Sequence, residues 1–423
     1  MKIQRFDWDG GDPRELAAKI RSLQPSLGEV SEPVQVIVAA VRERGDEALA
    51  EIESRFAETA VDPDDIRRPA EEILTARDRL DPELHTAMET AANNIRAVAE
   101  AQLGEERRLE LEQGQAVALR EVPVGAAAIY APGGAAAYPS TVLMGCVPAK
   151  VAGVPRVVVA TPAPVSDATL AAAAIAGADE VYAMGGAQAV AALAIGTGRI
   201  TPVDVIAGPG NRYVQEAKRQ LAGEVGIDGI AGPSELMVIA GDTANAEWLG
   251  LDLCAQAEHG PDGLLVATAV ETVILDAIRE SAERIAAERG IADDAALALV
   301  AAPETEAGVT LANAIAPEHL EILTEDAELL AGRVTTAGCV FIGERSATAF
   351  GDYAAGSNHV LPTGGAGRFQ GPLGPGAFRR RIATVEITQD AARELAPAVA
   401  TLARAEGFPL HAESAEARAK GNS

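Results

Sequence analysis

Four kinds of residue group in this chain could do chemistry: Gln256 and His259 in CAQAEHGPD, Glu318 and His319 in APEHLEI, two glycine-rich turns, and three cysteines. Gln256 and His259 are three apart near the end of a predicted helix, so both could face one metal ion. Zinc prefers thiolate, imidazole and carboxylate, and a capped helix end before Gly260 and Pro261 accounts for the same letters. Glu318 and His319 open the predicted strand HLEILT just after Pro317. Successive strand residues point to opposite faces, so the two can act on one atom only if the strand end is irregular. Otherwise they are a strand-edge carboxylate and a half-buried imidazole. The turns GGAQA and GPGN each follow a predicted strand and open a helix, where backbone N–H groups and the helix dipole favour phosphate. Neither is the G-x-G-x-x-G fingerprint, and ordinary tight turns would look the same. Cys146 and Cys254 lie on apolar helical faces without a sequence-adjacent base, the setting of a small hydrophobe.

The elements that must position these groups are read from periodicity. Residues 1–33 suggest a helix and a loop, punctuated by Pro13, Pro25 and Pro33. Helical patterns follow over about 34–56 and 81–104. From about Val122, β-branched runs alternate with Ala-rich helical stretches (AAAIYA, RVVVA, EVYAM, VDVIAG), and a second alternation follows (ELMVIAG, GLLVATA, ALALVA, HLEILT, CVFIG). Such alternation implies βαβ units. The expected fold is α/β, with two Rossmann-like domains of mainly parallel sheets and small helical segments at both ends. The expected boundaries are an N-terminal segment 1–27, a first α/β domain from 28–124 and 236–373, a second from 125–235, and a helical tail 374–423. The tail has little core of its own and needs a surface to dock on.

Bulk composition narrows the partners. The 423 residues carry 62 acidic and 35 basic side chains, a formal charge of −27, and only five of the basic ones are Lys. Nucleic acid and anionic membranes are therefore poor partners. Three widely spaced cysteines argue against a disulfide framework, and the apolar runs are too short to span a bilayer. The N-terminus lacks a signal core, so a cytoplasmic location is expected.

The stretch 185–235 (GGAQAVAALAIGTGRITPVDVIAGPGNRYVQEAKRQLAGEVGIDGIAGPSE) resembles the signature region of histidinol dehydrogenases. Similar segments lie at 122–134 (VPVGAAAIYAPGG), 254–262, 316–322, 352–363 (DYAAGSNHVLPT) and 405–418 (AEGFPLHAESAEAR). The resemblance covers roughly residues 30–420. It implies NAD-dependent four-electron oxidation of L-histidinol through L-histidinal to L-histidine, the last steps of histidine biosynthesis, in a homodimer with exchanged C-terminal tails. It places one zinc ion per subunit on Gln256, His259, Asp352 and His411, with His411 reaching the neighbouring subunit. It also puts NAD against Tyr130, Gln188 and Asn211. His319 is the implied acid–base and Glu318 the activator of water. Substrate is implied to touch Ser234, Gln256, His259, His319, Asp352, His359, Glu406 and His411. His85 has no counterpart and reads as a helix-surface residue. Other readings are a relative that oxidises another small alcohol, a zinc hydrolase using Glu318 to activate water, and a non-catalytic binding protein. A thiohemiacetal on Cys146 or Cys254 is the alternative route for the aldehyde.

Overall fold

The computed structural model describes residues 1–24, 29–133, 137–291 and 295–420. Pro25, the expected boundary at 27/28 and Gly134 of the 122–134 segment lie outside the described residues. In chain order the strands are β1 (Lys2–Asp7), β2 (Arg107–Glu110), β3 (Ala116–Pro123), β4 (Ala126–Tyr130), β5 (Arg156–Thr161), β6 (Glu180–Ala183), β7 (Val205–Ala207), β8 (Gly226–Ile227), β9 (Glu235–Ala240), β10 (Leu264–Ala269), β11 (Ala296–Ala301), β12 (His319–Leu323), β13 (Cys339–Ile342) and β14 (Arg379–Glu386).

The chain divides into two compact units. The first, residues 1–101 and 125–378, holds two all-parallel sheets, ordered β1-β11-β10-β9-β12-β13 and β6-β5-β4-β7-β8. This is the α/β class expected. Strands buried on both faces read as unbroken apolar runs, and ELMVIA of β9 is buried throughout. Its alternate residues serve opposite faces. Leu236 and Val238 pack in one core with Leu249, Leu253, Leu275 and Ile278 of the helices Ala246–Ala257 and Thr272–Arg289. Met237 and Ile239 join the opposite core, with Leu16 and Ile20 of the helix Pro13–Arg21 and Leu311 and Ile315 of the helix Thr305–Ile315.

Three expectations change. The N-terminus begins with a strand, pairing from Lys2↔Ala296 to Asp7↔Ala301 at the sheet edge. Its apolar residues Ile3 and Phe6 are divided between the two cores, too sparse a pattern to read as alternation. The first long helix is two, Ser31–Arg44 and Asp46–Ser54, broken at Gly45 where φ is +55°. Their buried residues Val34, Val38, Val41, Leu49 and Ile52 pack with Ala126, Ala128 and Tyr130 of β4, so this segment covers the five-stranded sheet and not the sheet of 236–373. The helix Pro82–Ala101 likewise packs on the helix Pro139–Val151, which lies against β4 and β5.

The second unit, residues 102–124 and 379–423, is an antiparallel sheet β14-β3-β2 with the helices Gln389–Ala405 and Pro409–Lys420 packed on each other. Residues 102–124, expected in the first domain, pair here with the tail, from Arg379↔Pro123 to Glu386↔Ala116. The arginine cluster of RRRIATVEIT is the strand β14. Cross-strand charge explains its composition, since Arg381 pairs with Glu121, and Glu386 with Arg108 of β2. No helix is long and apolar enough to cross a membrane among the described residues.

The turn GPGN meets the end of β4 at one close approach. Gly208 of GPGN has φ +117°, and a Cβ there would lie 2.1 Å from the Tyr130 carbonyl oxygen, so only glycine lets β7 end against β4. Gly208→Ala should therefore cost about 1–3 kcal/mol of stability as backbone is forced apart. Denaturant unfolding checks this, and an unchanged midpoint would refute the tight approach.

Candidate active site

The catalytic candidates sit where the helix Thr305–Ile315 turns into β12. Ala316 caps that helix in the left-handed region at φ +51°, and Pro317 and Glu318 follow before regular pairing starts at His319↔Leu236. The strand end is thus irregular, and the sequence objection to Glu318 and His319 acting together falls. Glu318 Oε2 lies 3.5 Å from His319 Nδ1. Both side chains are buried and both dock on the backbone of Glu235: the Glu235 N–H donates to Glu318 Oε2 at 2.8 Å, and His319 Nδ1 lies 3.1 Å from the Glu235 carbonyl oxygen. A carbonyl can only accept, so Nδ1 carries a proton and Nε2 is the working nitrogen.

His319 Nε2 is 3.2 Å from Asp352 Oδ1. Burial alone would lower the imidazole's pKa, but the charges of Glu318 and Asp352 and the hydrogen bonds to them raise it well above its usual value. Burial would likewise raise the Asp352 carboxyl. The hydrogen bond and charge of His319, with His359 and His259 adding to it, hold it below the usual carboxylate range. The site therefore sets the His319 imidazole against the Asp352 carboxylate, with further imidazoles around them.

His359 is held at both nitrogens, Nδ1 2.8 Å from the Asp352 carbonyl oxygen and Nε2 3.1 Å from Thr141 Oγ1. Burial pushes its pKa down, leaving a neutral ring. Gln256 is buried in the last turn of its helix, and His259 is exposed just past the cap at Glu258. The helix Ala246–Ala257 packs against the short helix Thr348–Tyr353 that carries Asp352. Ser234 immediately precedes β9 and is half-buried. Glu406 and His411 belong to the second unit and are exposed there, with the His411 ring 5.5 Å from that of Phe408. Among the described residues no group of three or more His, Cys, Asp or Glu side chains converges as a metal site. His85 lies on its helix 3.8 Å from Glu89, away from these groups in sequence and role.

The other candidates line the glycine-rich turns. The Gly186 N–H donates to Tyr130 Oη at 3.1 Å, and Asn211 Oδ1 accepts from the N–H groups of Tyr213 and Val214. The donors expected to be free for phosphate are thus partly satisfied from within. Glu53, which sequence reasoning missed, explains more of this. It is buried, and its Oε1 accepts from the Gly185 N–H at 2.8 Å and from Gln188 Nε2 at 3.0 Å. Burial raises its pKa against those two hydrogen bonds. The only sequence signal was an acid on the apolar Leu49/Ile52 side of its helix.

Glu321 was also missed. It is buried on β12, its Oε1 accepts from the Thr348 N–H at 3.0 Å, and burial with Asp252 pushes its pKa up to about 8. It fastens the start of the Asp352 helix to the strand of His319. The cysteines supply no thiolate: burial raises the thiols of Cys146, Cys254 and Cys339, and Cys254 Sγ donates to the Ala282 carbonyl.

The sequence profile described as histidinol dehydrogenase matches residues 21–419. A histidinol dehydrogenase from Zymomonas mobilis is 42% identical over 402 residues, covering 93% of this chain and 94% of that protein. One from Natronomonas pharaonis is 43% identical, covering 96% and 97%, and one from Haloarcula marismortui is 44% identical, covering 92% and 93%. A crystal structure of histidinol dehydrogenase from Elizabethkingia anophelis superposes with a TM-score of 0.92 at 31% identity, covering 99% of this chain and 98% of that one. The chain belongs to the histidinol dehydrogenase family.

Proposed function

We propose that this protein oxidises L-histidinol through L-histidinal to L-histidine, an NAD-dependent four-electron reaction that closes histidine biosynthesis. The observation that carries the mechanism is the joint docking of Glu318 and His319 on the backbone of Glu235, which sets a base and a carboxylate side by side in a buried site. The donors suit a zinc ion: an ionised carboxylate at Asp352, an imidazole at His259 that already acts on that carboxylate, and the buried amide of Gln256. A fourth ligand is assigned to His411 of the partner subunit. When bound, zinc orients the imidazole and amine of histidinol, and NAD accepts a hydride in each half-reaction.

The chain's own groups manage protons and water. His319 Nε2 takes the hydroxyl proton in the first half-reaction, its ring held in one tautomer by the Glu235 carbonyl. Glu318 then assists addition of water to the aldehyde, and His319, having released the first proton to solvent, accepts a second. Ser234 and His359 hold substrate, and Glu406 of the partner subunit is assigned to it from the exchanged tail. Retention of the aldehyde in a buried site keeps it from bulk water.

Tyr130, Gln188 and Asn211 are assigned to NAD. Through Glu53 the Gln188 amide nitrogen is already committed, which leaves Gln188 Oε1 to accept from the cofactor. Among the described residues of the second unit the buried hydrophobic side chains are alanines, such as the cluster Ala400, Ala403 and Ala412, while Leu402, Phe408 and Leu410 are exposed. So small a core supports a tail exchanged in a homodimer. Three cysteines without a disulfide suit a reducing, cytoplasmic setting.

Purified zinc-loaded protein should form two NADH per histidinol consumed and lose turnover on chelation. One NADH would mean that the aldehyde escapes, and none would return attention to a zinc hydrolase. Glu318→Gln should slow oxidation of histidinal far more than formation of enzyme-bound aldehyde in single-turnover experiments; equal slowing of both would sink the separate roles. Glu53→Ala leaves two buried donors unpaired, a loss of about 1–3 kcal/mol, and should raise the KM for NAD while leaving that for histidinol unchanged. A selective rise in the histidinol KM would contradict the assignment.

A further inference from the structure

We infer that Arg21, the last residue of the helix Pro13–Arg21, is the positioning residue for the Glu318–His319 pair. Its guanidinium reaches two segments that the pair depends on. Nη1 donates to Glu235 Oε1 at 2.8 Å, and Nη2 lies 3.2 Å from Glu235 Oε2, a forked ion pair on a carboxylate only 1% exposed. The same Nη2 donates to the Ile315 carbonyl at 2.5 Å. Glu235 is the residue whose N–H and C=O hold Glu318 and His319. Ile315 directly precedes Ala316, whose left-handed conformation aims the chain into Pro317 and Glu318.

Arg21 therefore sits behind both anchor points. Side-chain contacts hold residue 235 from one direction, and the carbonyl contact holds the turn before residue 318 from the other. Glu235 Oε1 also accepts from the Gly364 N–H at 3.0 Å, so the same carboxylate fixes the loop that follows His359. Left-handed backbone at a non-glycine residue persists only where surrounding contacts over-determine it, and the hydrogen bond to Ile315 is such a contact. Lysine has the charge but not the planar fork, and cannot bind both carboxylate oxygens and the carbonyl in this geometry.

The role concerns chemistry and not mere attachment of the helix, and the kinetic part rests on the histidinol reading above. Crystal structures of the wild type and Arg21→Lys give a readout independent of substrate. The Glu318 Oε2 to His319 Nδ1 separation, 3.5 Å in the wild type, should change and the Ala316 turn should relax. An unmoved pair would overturn the inference whether or not the protein oxidises histidinol. With a wild type that turns over, Arg21→Lys should lower kcat roughly 10–100-fold, the scale of an ångström's misplacement, with both KM values within about twofold. Guanidinium added to Arg21→Ala should restore part of kcat. Should Arg21→Ala not fold, Glu235→Gln keeps the anchoring backbone and removes the ion pair, and should lower kcat in the same direction by less. A lowered melting temperature with unchanged kcat, or a raised KM with unchanged kcat, would each show Arg21 to be only a structural or a binding residue.

Discussion

The pairing of β9 with β12 is the constraint on which the site depends. Its register sets His319 opposite Leu236 and leaves Glu235 just ahead, with both backbone polar groups available to side chains of the incoming strand. A slip of one residue would turn His319 to the other face and strand Glu318 among apolar side chains. Apart from Glu235 at the start of β9 and His319 and Glu321 on β12, nothing local resists such a slip, since the remaining residues of both strands are apolar. What resists it is the packing of alternate β9 residues into two different cores, together with the partly buried Arg21–Glu235 ion pair, which has one satisfactory position.

Charge in the site is divided by environment. Two carboxylates raise the His319 pKa against its burial, whereas burial lowers that of His359, held by a carbonyl and a hydroxyl. Asp352 is ionised beside imidazoles, whereas Glu321, two residues from His319 and facing Asp252, is pushed toward its protonated form. Like residue types thus hold unlike charges within a short stretch of chain, the pattern that separates acid from base. It also keeps the number of uncompensated buried charges low.

Much of this was legible in the sequence, for identifiable reasons. Buried parallel strands produce continuous apolar runs, and glycine turns punctuate them, so the two sheets and the helices opened by GGAQA and GPGN could be read directly. The edge strand β1 could not, because an edge strand needs only one apolar residue for each core. Residues 102–124 could not be assigned to the tail, because antiparallel pairing with β14 is specified by partners more than 250 residues away. Among the site residues, Glu318, His319, Asp352 and His359 come together. Glu53, Glu321 and Thr141 were missed, because each acts through contacts with a segment distant in sequence.

The glycine-rich turns show why a local pattern was insufficient. A helix N-terminus offers the same N–H groups whether a phosphate or a side chain will fill them. Here Glu53 and Asn211 fill several, so these termini are capped before any ligand arrives, and the dipole's attraction for an anion is partly spent on a carboxylate of the chain itself. A dinucleotide bound here would then be held less by a phosphate cradle than by oriented side chains such as Gln188, whose amide is fixed by that same carboxylate. Pre-orientation of an amide costs little at the moment of binding, because its conformational freedom has already been lost in folding.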